Sequence, residues 1–171
     1  QIFLWCAPCI LIWGMTLAVC RSVRTPALFP LRLFAAAYTD IFRGIPVILT
    51  ILLVGFGVPG LGLGRPWNSP YLWGSVALVL AYSSYVAEVF RAGIESVHES
   101  QRAGARSLGL SSGQTLRFVV LPQAVRRVIP PLMNDFVSLQ KDVALISLIG
   151  PIEILRQAGI DKSKFANFTP Y

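Results

Sequence analysis

Apolar residues fall into four long runs separated by polar or turn-rich stretches, a pattern that predicts membrane-crossing helices rather than the shorter amphipathic elements of a soluble core. Residues 2 to 20, IFLWCAPCILIWGMTLAVC, carry no charge and are long enough to cross the hydrocarbon layer. RSVRTPALFPLR follows, where two prolines break the helix and keep its backbone where water can satisfy it. From Leu33 a helical pattern resumes as LFAAAYTDIFRG, meets Gly44 and Pro46, and continues into apolar VILTILLVGFGV, so the second span is expected to be kinked or broken. Asp40 and Arg43, three apart, are placed to pair across one turn.

After the Gly/Pro-rich connection PGLGLGRPWNSP, the third run, YLWGSVALVLAYSSYVAEVF, ends beside Glu88 and Arg91. A basic stretch through Arg127 leads to the fourth run, VIPPLMNDFVSLQKDVALISLIG, and the segment beyond Pro151 is polar. The expected fold is all-α: one polytopic transmembrane helical bundle over 1–171, with four spans and a long loop at 91–122. The chain opens at Gln1 inside an apolar run and stops at Tyr171 without a closing element, so trimming at both ends is expected.

Composition agrees with the pattern. The chain is 54% hydrophobic and 13% charged, with a mean hydropathy of +0.63, too apolar a balance for a soluble domain of this length to bury. Basic residues set the orientation. Arg21, Arg24 and Arg32 mark one loop and Arg91, Arg102, Arg106, Arg117, Arg126 and Arg127 another, against Arg65 alone between them, so both basic loops are expected in the cytoplasm and the N-terminus outside. Cys6 and Cys9 form a CxxC, but without a βαβ pattern around it buried thiols within a span are the better reading.

The loop segment QRAGARSLGLSSGQTLRFVVLP offers a helix, a glycine turn and a second polar helix, the outline of a DNA-reading module. Such a module needs its own apolar core, and this loop has only about five large apolar residues before the next span. Catalytic sets are also missing from the pattern. No phosphate-cradling G-x-x-x-x-G-K-[ST] occurs, and His98, the only histidine, lies in a polar loop that favours solvation over catalysis. The ligand count does not support a zinc site. The chain therefore reads as a conduit with no metal or cofactor of its own and no enzymatic activity.

The same loop resembles the signature of permease subunits of binding-protein-dependent ABC importers: Glu-Ala-Ala, three residues, Gly, nine residues, then Ile-x-Leu-Pro. Ala103, Gly104 and Ala105, then Gly109, then Val119, Leu121 and Pro122 occupy those positions. YTDIFRGIPVIL, SSYVAEVFRAGIESV, LPQAVRRVIPPLMNDF and SLQKDVALISLIG are similar to stretches of the polar amino-acid branch, in its order. The resemblance implies a transport subunit of about five spans in a bacterial inner membrane. It also implies partners: ATPase subunits that bind ATP and magnesium, a second permease subunit, same or similar, and an extracytoplasmic amino-acid-binding protein. Ala103 departs from the pattern, since the family places an acid there, so the charge-assisted contact that the acid makes with the ATPase does not carry over.

Small residues let a docked helix approach its partner closely, which makes Ala103, Gly104, Ala105 and Ser107 candidates for the coupling contact. Gly109 suits a turn with positive φ, Ser111 or Ser112 suits a helix cap, and Leu121 with Pro122 opens the next helix. A merely solvated basic loop is the plain alternative. Polar residues within spans usually face a bundle interior or a wet cavity. Asn134, Ser138 and Lys141 follow helical spacing, with Asp135 and Asp142 in an adjoining row. An amino acid needs an acceptor for its ammonium and donors for its carboxylate, so Asn134, Ser138 and Glu88 are the candidate lining of the substrate path. Glu88 with Arg91 also suits a membrane-interface pair, and a secondary transporter or channel that moves a small polar solute without ATP is the competing function.

Overall fold

A computed structural model describes residues 2–22, 26–62, 64, 67–149 and 154–165. They form eight α-helices: α1 (Ile2–Ser22), α2 (Phe29–Gly44), α3 (Val47–Gly57), α4 (Pro70–Glu95), α5 (Glu99–Ser107), α6 (Ser112–Thr115), α7 (Leu121–Asp142) and α8 (Ile154–Phe165). A π-helical turn, Leu116–Val120, joins α6 to α7, and a 3-10 run, Val143–Ile149, follows α7. Arg24 and Arg65, used above for orientation, lie outside the described residues.

The central element is α4, against which α1, α2, α3 and α7 all pack. Its sequence suits that place. Gly74, Ala77, Ala81, Ser83, Ser84, Ala87 and Gly93 are buried and small, so neighbouring helices approach closely, and Leu78, Tyr82 and Val86 fill the space between them. α1 meets it along Ile2, Cys6, Ile10, Gly14 and Leu17, one face of a helix. The opposite side of α1 leaves Leu4 and Trp5 72% and 76% exposed, as a lipid-facing surface requires.

Polar ties run inside the bundle. The Tyr38 hydroxyl of α2 donates to the Leu80 carbonyl at 2.9 Å and lies 3.0 Å from the Ser83 hydroxyl. The Tyr82 hydroxyl donates to Asp142 Oδ2 at 2.8 Å and so fastens α4 to the end of α7. Cys6 is buried and Cys9 is exposed, so only the first of the two thiols belongs to the core.

α1 and α4 are each long and apolar enough to cross a membrane, and α2 with α3 passes the same test as a pair bent by 103°. Gly44 and Pro46 thus produce a break far sharper than a kink. Ile45, preceding proline, is held extended at ψ 128°, and the chain restarts as α3 with Pro46 at its N-cap. The expected fourth span takes another form. α7 begins at Leu121, within the basic loop, and Arg126, Arg127, Asp135, Lys141 and Asp142 keep it from meeting that test of length and apolarity, while the apolar residues beyond it form the 3-10 run. Ile146 and Ile149 of that run are buried.

Close approach at glycines predicts which substitutions the bundle rejects. A methyl group at Gly14 falls 2.7 Å from Val86 Cγ1 and 3.1 Å from the Ser83 carbonyl oxygen, both fixed to α4. At Gly55 the nearest atom, 2.5 Å away, is Cδ1 of Ile149, the free end of a flexible side chain. Gly14→Ala is therefore expected to cost about 1–3 kcal/mol and Gly55→Ala much less, read as the order of thermal unfolding midpoints in detergent.

Candidate functional site

The candidate loop hangs from the C-terminal end of α4, where charge is concentrated. Glu88 is the focus. Its Oε2 accepts from Arg21 Nη1 of α1 at 3.0 Å and lies 3.9 Å from Arg43 Nη1 of α2, while Oε1 meets Arg91 Nη2 one turn further along α4. Arg91 extends the cluster to Glu95. Glu88 and Arg21 keep only 20% and 17% of their side chains exposed, so these charges sit in partly apolar surroundings and must be paired. Arg43 turns to this carboxylate rather than to Asp40, contrary to the local pairing expected from spacing.

The loop proper opens with His98, whose Nδ1 accepts from the Ser100 amide at 3.2 Å and caps α5, a specific structural part for a residue expected only to be solvated. α5 closes with two bonds: Gly109 N–H to the Arg106 carbonyl at 3.0 Å and Leu110 N–H to the Ala105 carbonyl at 3.2 Å. This is a Schellman closure, which needs a residue of positive φ, and Gly109 supplies it at +84°. Ser111 then caps α6 in a reciprocal capping box with Gln114.

Leu121 N–H reaches the Leu116 carbonyl, five residues back, so the turn before Pro122 is widened where a proline ring crowds the carbonyl four residues earlier. Arg102 Nη2 of α5 donates to the Ile94 carbonyl of α4 at 3.0 Å, and Arg127 Nη1 of α7 donates to the carbonyl of Ser96, the C-cap of α4.

α5 has two sides. Glu99, Arg102 and Arg106 look across a cavity of about 320 Å³ toward Ser112, Thr115 and Leu116. Ala105 is buried beneath, whereas Ala103, Gly104 and Ser107 are exposed, and a side chain built at Gly104 meets no atom of this chain within 4 Å. Leu121 and Pro122 are exposed at the start of α7. Of the expected contact residues, then, all but Ala105 are open to a partner.

The candidate path residues do not converge. Asn134 and Ser138 lie one turn apart on the exposed side of α7, while Leu139 on its other side is buried. Glu88 instead borders a separate cavity of about 320 Å³ with Ala92, Gly93, Arg127 and Pro131 between α4 and α7. Its carboxylate faces Arg21, Arg43 and Arg91. Asp135 has a buried Oδ2 without a hydrogen-bond partner. The sequence signals Glu88–Arg91 by its spacing of three, but nothing local points to Arg21 or to the Tyr82–Asp142 bond, whose partners lie 67 and 60 residues apart.

A helical bundle built on helices long and apolar enough to cross a membrane, with a capped polar loop fastened to the end of its central helix, defines the class of transmembrane helical proteins. The family model described as "binding-protein-dependent transport system inner membrane component" matches residues 4–168, and the chain belongs to that family as a permease subunit of an ABC importer. It is 36% identical over 158 residues to a putative glutamine transport system permease protein of Rickettsia conorii, covering 92% of this chain and 70% of that one. A probable glutamine ABC transporter permease protein of Bacillus subtilis is 34% identical over 152 residues, covering 89% and 68%. Among solved structures, an amino acid ABC transporter with histidines is similar at a TM-score of 0.86 and 32% identity, over 99% of this chain and 77% of that one.

Removing the Glu88 carboxylate leaves three guanidinium groups facing one another. Glu88→Gln is expected to cost about 2 kcal/mol, less than a fully buried pair because the site is partly open. Arg43→Gln, at the longest contact and the most exposed arginine, should cost clearly less. Thermal unfolding of the detergent-solubilised variants gives the order.

Proposed function

We propose that the chain conducts a polar amino acid across a bacterial inner membrane, as a multi-pass subunit paired with a second permease, and that its 101–122 loop couples it to a separate ATPase. The observation that carries the reading is the loop itself. The signature residues form a capped helix and turn whose small residues Ala103, Gly104 and Ser107 stay exposed, on a segment that Arg102 ties to α4. The names of the relatives, glutamine and amino-acid transport permeases, support the substrate class.

In this mechanism an extracytoplasmic binding protein delivers the amino acid. ATP binding closes the ATPases, and the loops transmit that movement to the bundle, shifting it between inward-facing and outward-facing states whose affinities for the partners differ. Hydrolysis on the ATPase, which holds ATP and magnesium, resets the cycle. Asn134 and Ser138, exposed on α7, offer an amide and a hydroxyl to the passing solute. With both basic loops in the cytoplasm, the N-terminus of the described chain lies outside.

The test is uptake into proteoliposomes holding the full-length subunit, the ATPase encoded beside it and the corresponding binding protein, with glutamine, histidine and arginine offered in turn. The expected result is accumulation of one of them only when ATP is enclosed on the ATPase side, and a several-fold rise in hydrolysis when the loaded binding protein is added. Equal passage without ATP would instead establish a secondary carrier or channel.

A further inference from the structure

Buried polar atoms of a folded chain are nearly always hydrogen-bonded, so each exception needs a physical reason. Among the described residues four buried side-chain atoms lack a partner, and two of them, Arg102 Nε and Thr115 Oγ1, line one cavity. Thr115 is only 5% exposed. A helical threonine commonly satisfies its hydroxyl on the carbonyl four residues back, as Thr16 does on Ile12 at 2.8 Å and Thr39 on Ala35 at 2.7 Å. Thr115 makes no such bond. Arg102 spends Nη2 on the Ile94 carbonyl, and its Nε lies 4.0 Å from Glu99 Oε2, beyond hydrogen-bond reach.

The cavity, of about 320 Å³, lies between α5 and the turn through α6, at the lower end of the roughly 300–1,000 Å³ range of small-molecule sites. Its lining divides by chemistry. Arg102 and Arg106 bring guanidinium groups, Ser112 and Thr115 bring hydroxyls, Glu99 brings a carboxylate, and Ile94 and Val120 are apolar. Guanidinium groups beside a hydroxyl suit a carboxylate, which accepts from all of them. A simple inorganic anion would use those donors but meet repulsion from Glu99. A molecule carrying both a carboxylate and an ammonium group uses the donors and the acceptor together.

We propose that this cavity binds a free α-amino acid, with its carboxylate on Arg106, Arg102 Nε and Thr115 Oγ1, its ammonium group toward Glu99, and its aliphatic part against Ile94 and Val120. The site is distinct from Asn134 and Ser138, which are exposed on α7. Its ligand bridges α5 to the residues just before the π-helical turn, so occupancy joins the two halves of the loop. With the loop in the cytoplasm, as proposed above, the ligand is amino acid that has already been transported. The inference rests on that reading for the source of the ligand, while the chemistry of the site comes from the cavity itself.

The experiment equilibrates the purified full-length subunit, in detergent and without its partners, with radiolabelled glutamine, histidine or arginine. The parent is compared with Thr115→Val and Arg106→Gln. Thr115→Val removes a hydroxyl that bonds nothing within the chain, so thermal unfolding without ligand should not fall, which separates lost binding from lost fold. At least one of the three amino acids is expected to bind the parent, about tenfold more weakly to either variant, and to be displaced poorly by inorganic phosphate. Equal binding by the parent and both variants would place the ligand on the translocation path and overturn the site. Displacement by phosphate at the amino acid's own concentration would make the cavity a simple anion site and overturn the assignment. If none of the three binds the parent, water satisfies Arg102 Nε and Thr115 Oγ1, and the proposal falls. Should binding behave as expected while uptake proceeds without ATP, the coupling role falls and the site stands.

Discussion

Much of this architecture depends on one carboxylate. A charge at the edge of an apolar bundle is tolerated only when it is paired, and Glu88 is paired with guanidinium groups from α1, α2 and its own helix. Because those partners come from three elements, meeting the electrostatic requirement also sets where the ends of the helices lie. The small residues along α4 bring the helices close, and the Glu88 cluster fixes them at that end. Seven residues beyond it, α4 ends at Glu95 and the loop begins, so the loop's origin is defined by the same cluster.

The loop achieves rigidity by a different route. A nine-residue polar helix has little stability in isolation, since so few residues cannot offset the cost of starting a helix. α5 persists because His98 caps its start, Gly109 closes its end, and Arg102 ties it to the Ile94 carbonyl. Ser111 and Gln114 then restart the helix, and Arg127 returns a bond to Ser96. Caps at both ends of α5, the capping box of α6 and the Arg102 bond to α4 hold the connection in one conformation, as the proposed coupling role requires.

How legible these features were depended on how local they are. The long apolar runs identified α1 and α4 because continuous apolarity over that length has few other uses. Gly109, Ser111 and Pro122 were legible because caps and turns are decided within a few residues. Gly44 and Pro46 announced a break, but its 103° angle is set by how α3 packs on α4, which no local rule contains. Asp40 and Arg43 show the opposite failure. Their spacing suited a pair, yet the half-buried Glu88 carboxylate has more need of a cation than the exposed Asp40. The fourth run lies on α7 and the 3-10 run after it: Pro122 marked where that helix opens, whereas nothing local marks the change to 3-10 geometry after Asp142.

The central claim is that the loop and the end of the bundle move as one body, so that force applied to α5 is delivered to α4. It is tested most directly by placing spin labels at Val19 on α1 and Gln101 on α5, both exposed, in a full-length subunit whose Cys6, Cys9 and Cys20 have been replaced. The distance distribution between them is then measured in the assembled complex with and without ATP. The account predicts the same narrow distribution in both states, because the Glu88 cluster and the loop's bonds to α4 hold the two sites together while the whole unit turns. A distribution that shifts or broadens when ATP binds would show α5 pivoting independently of the bundle, and would contradict it.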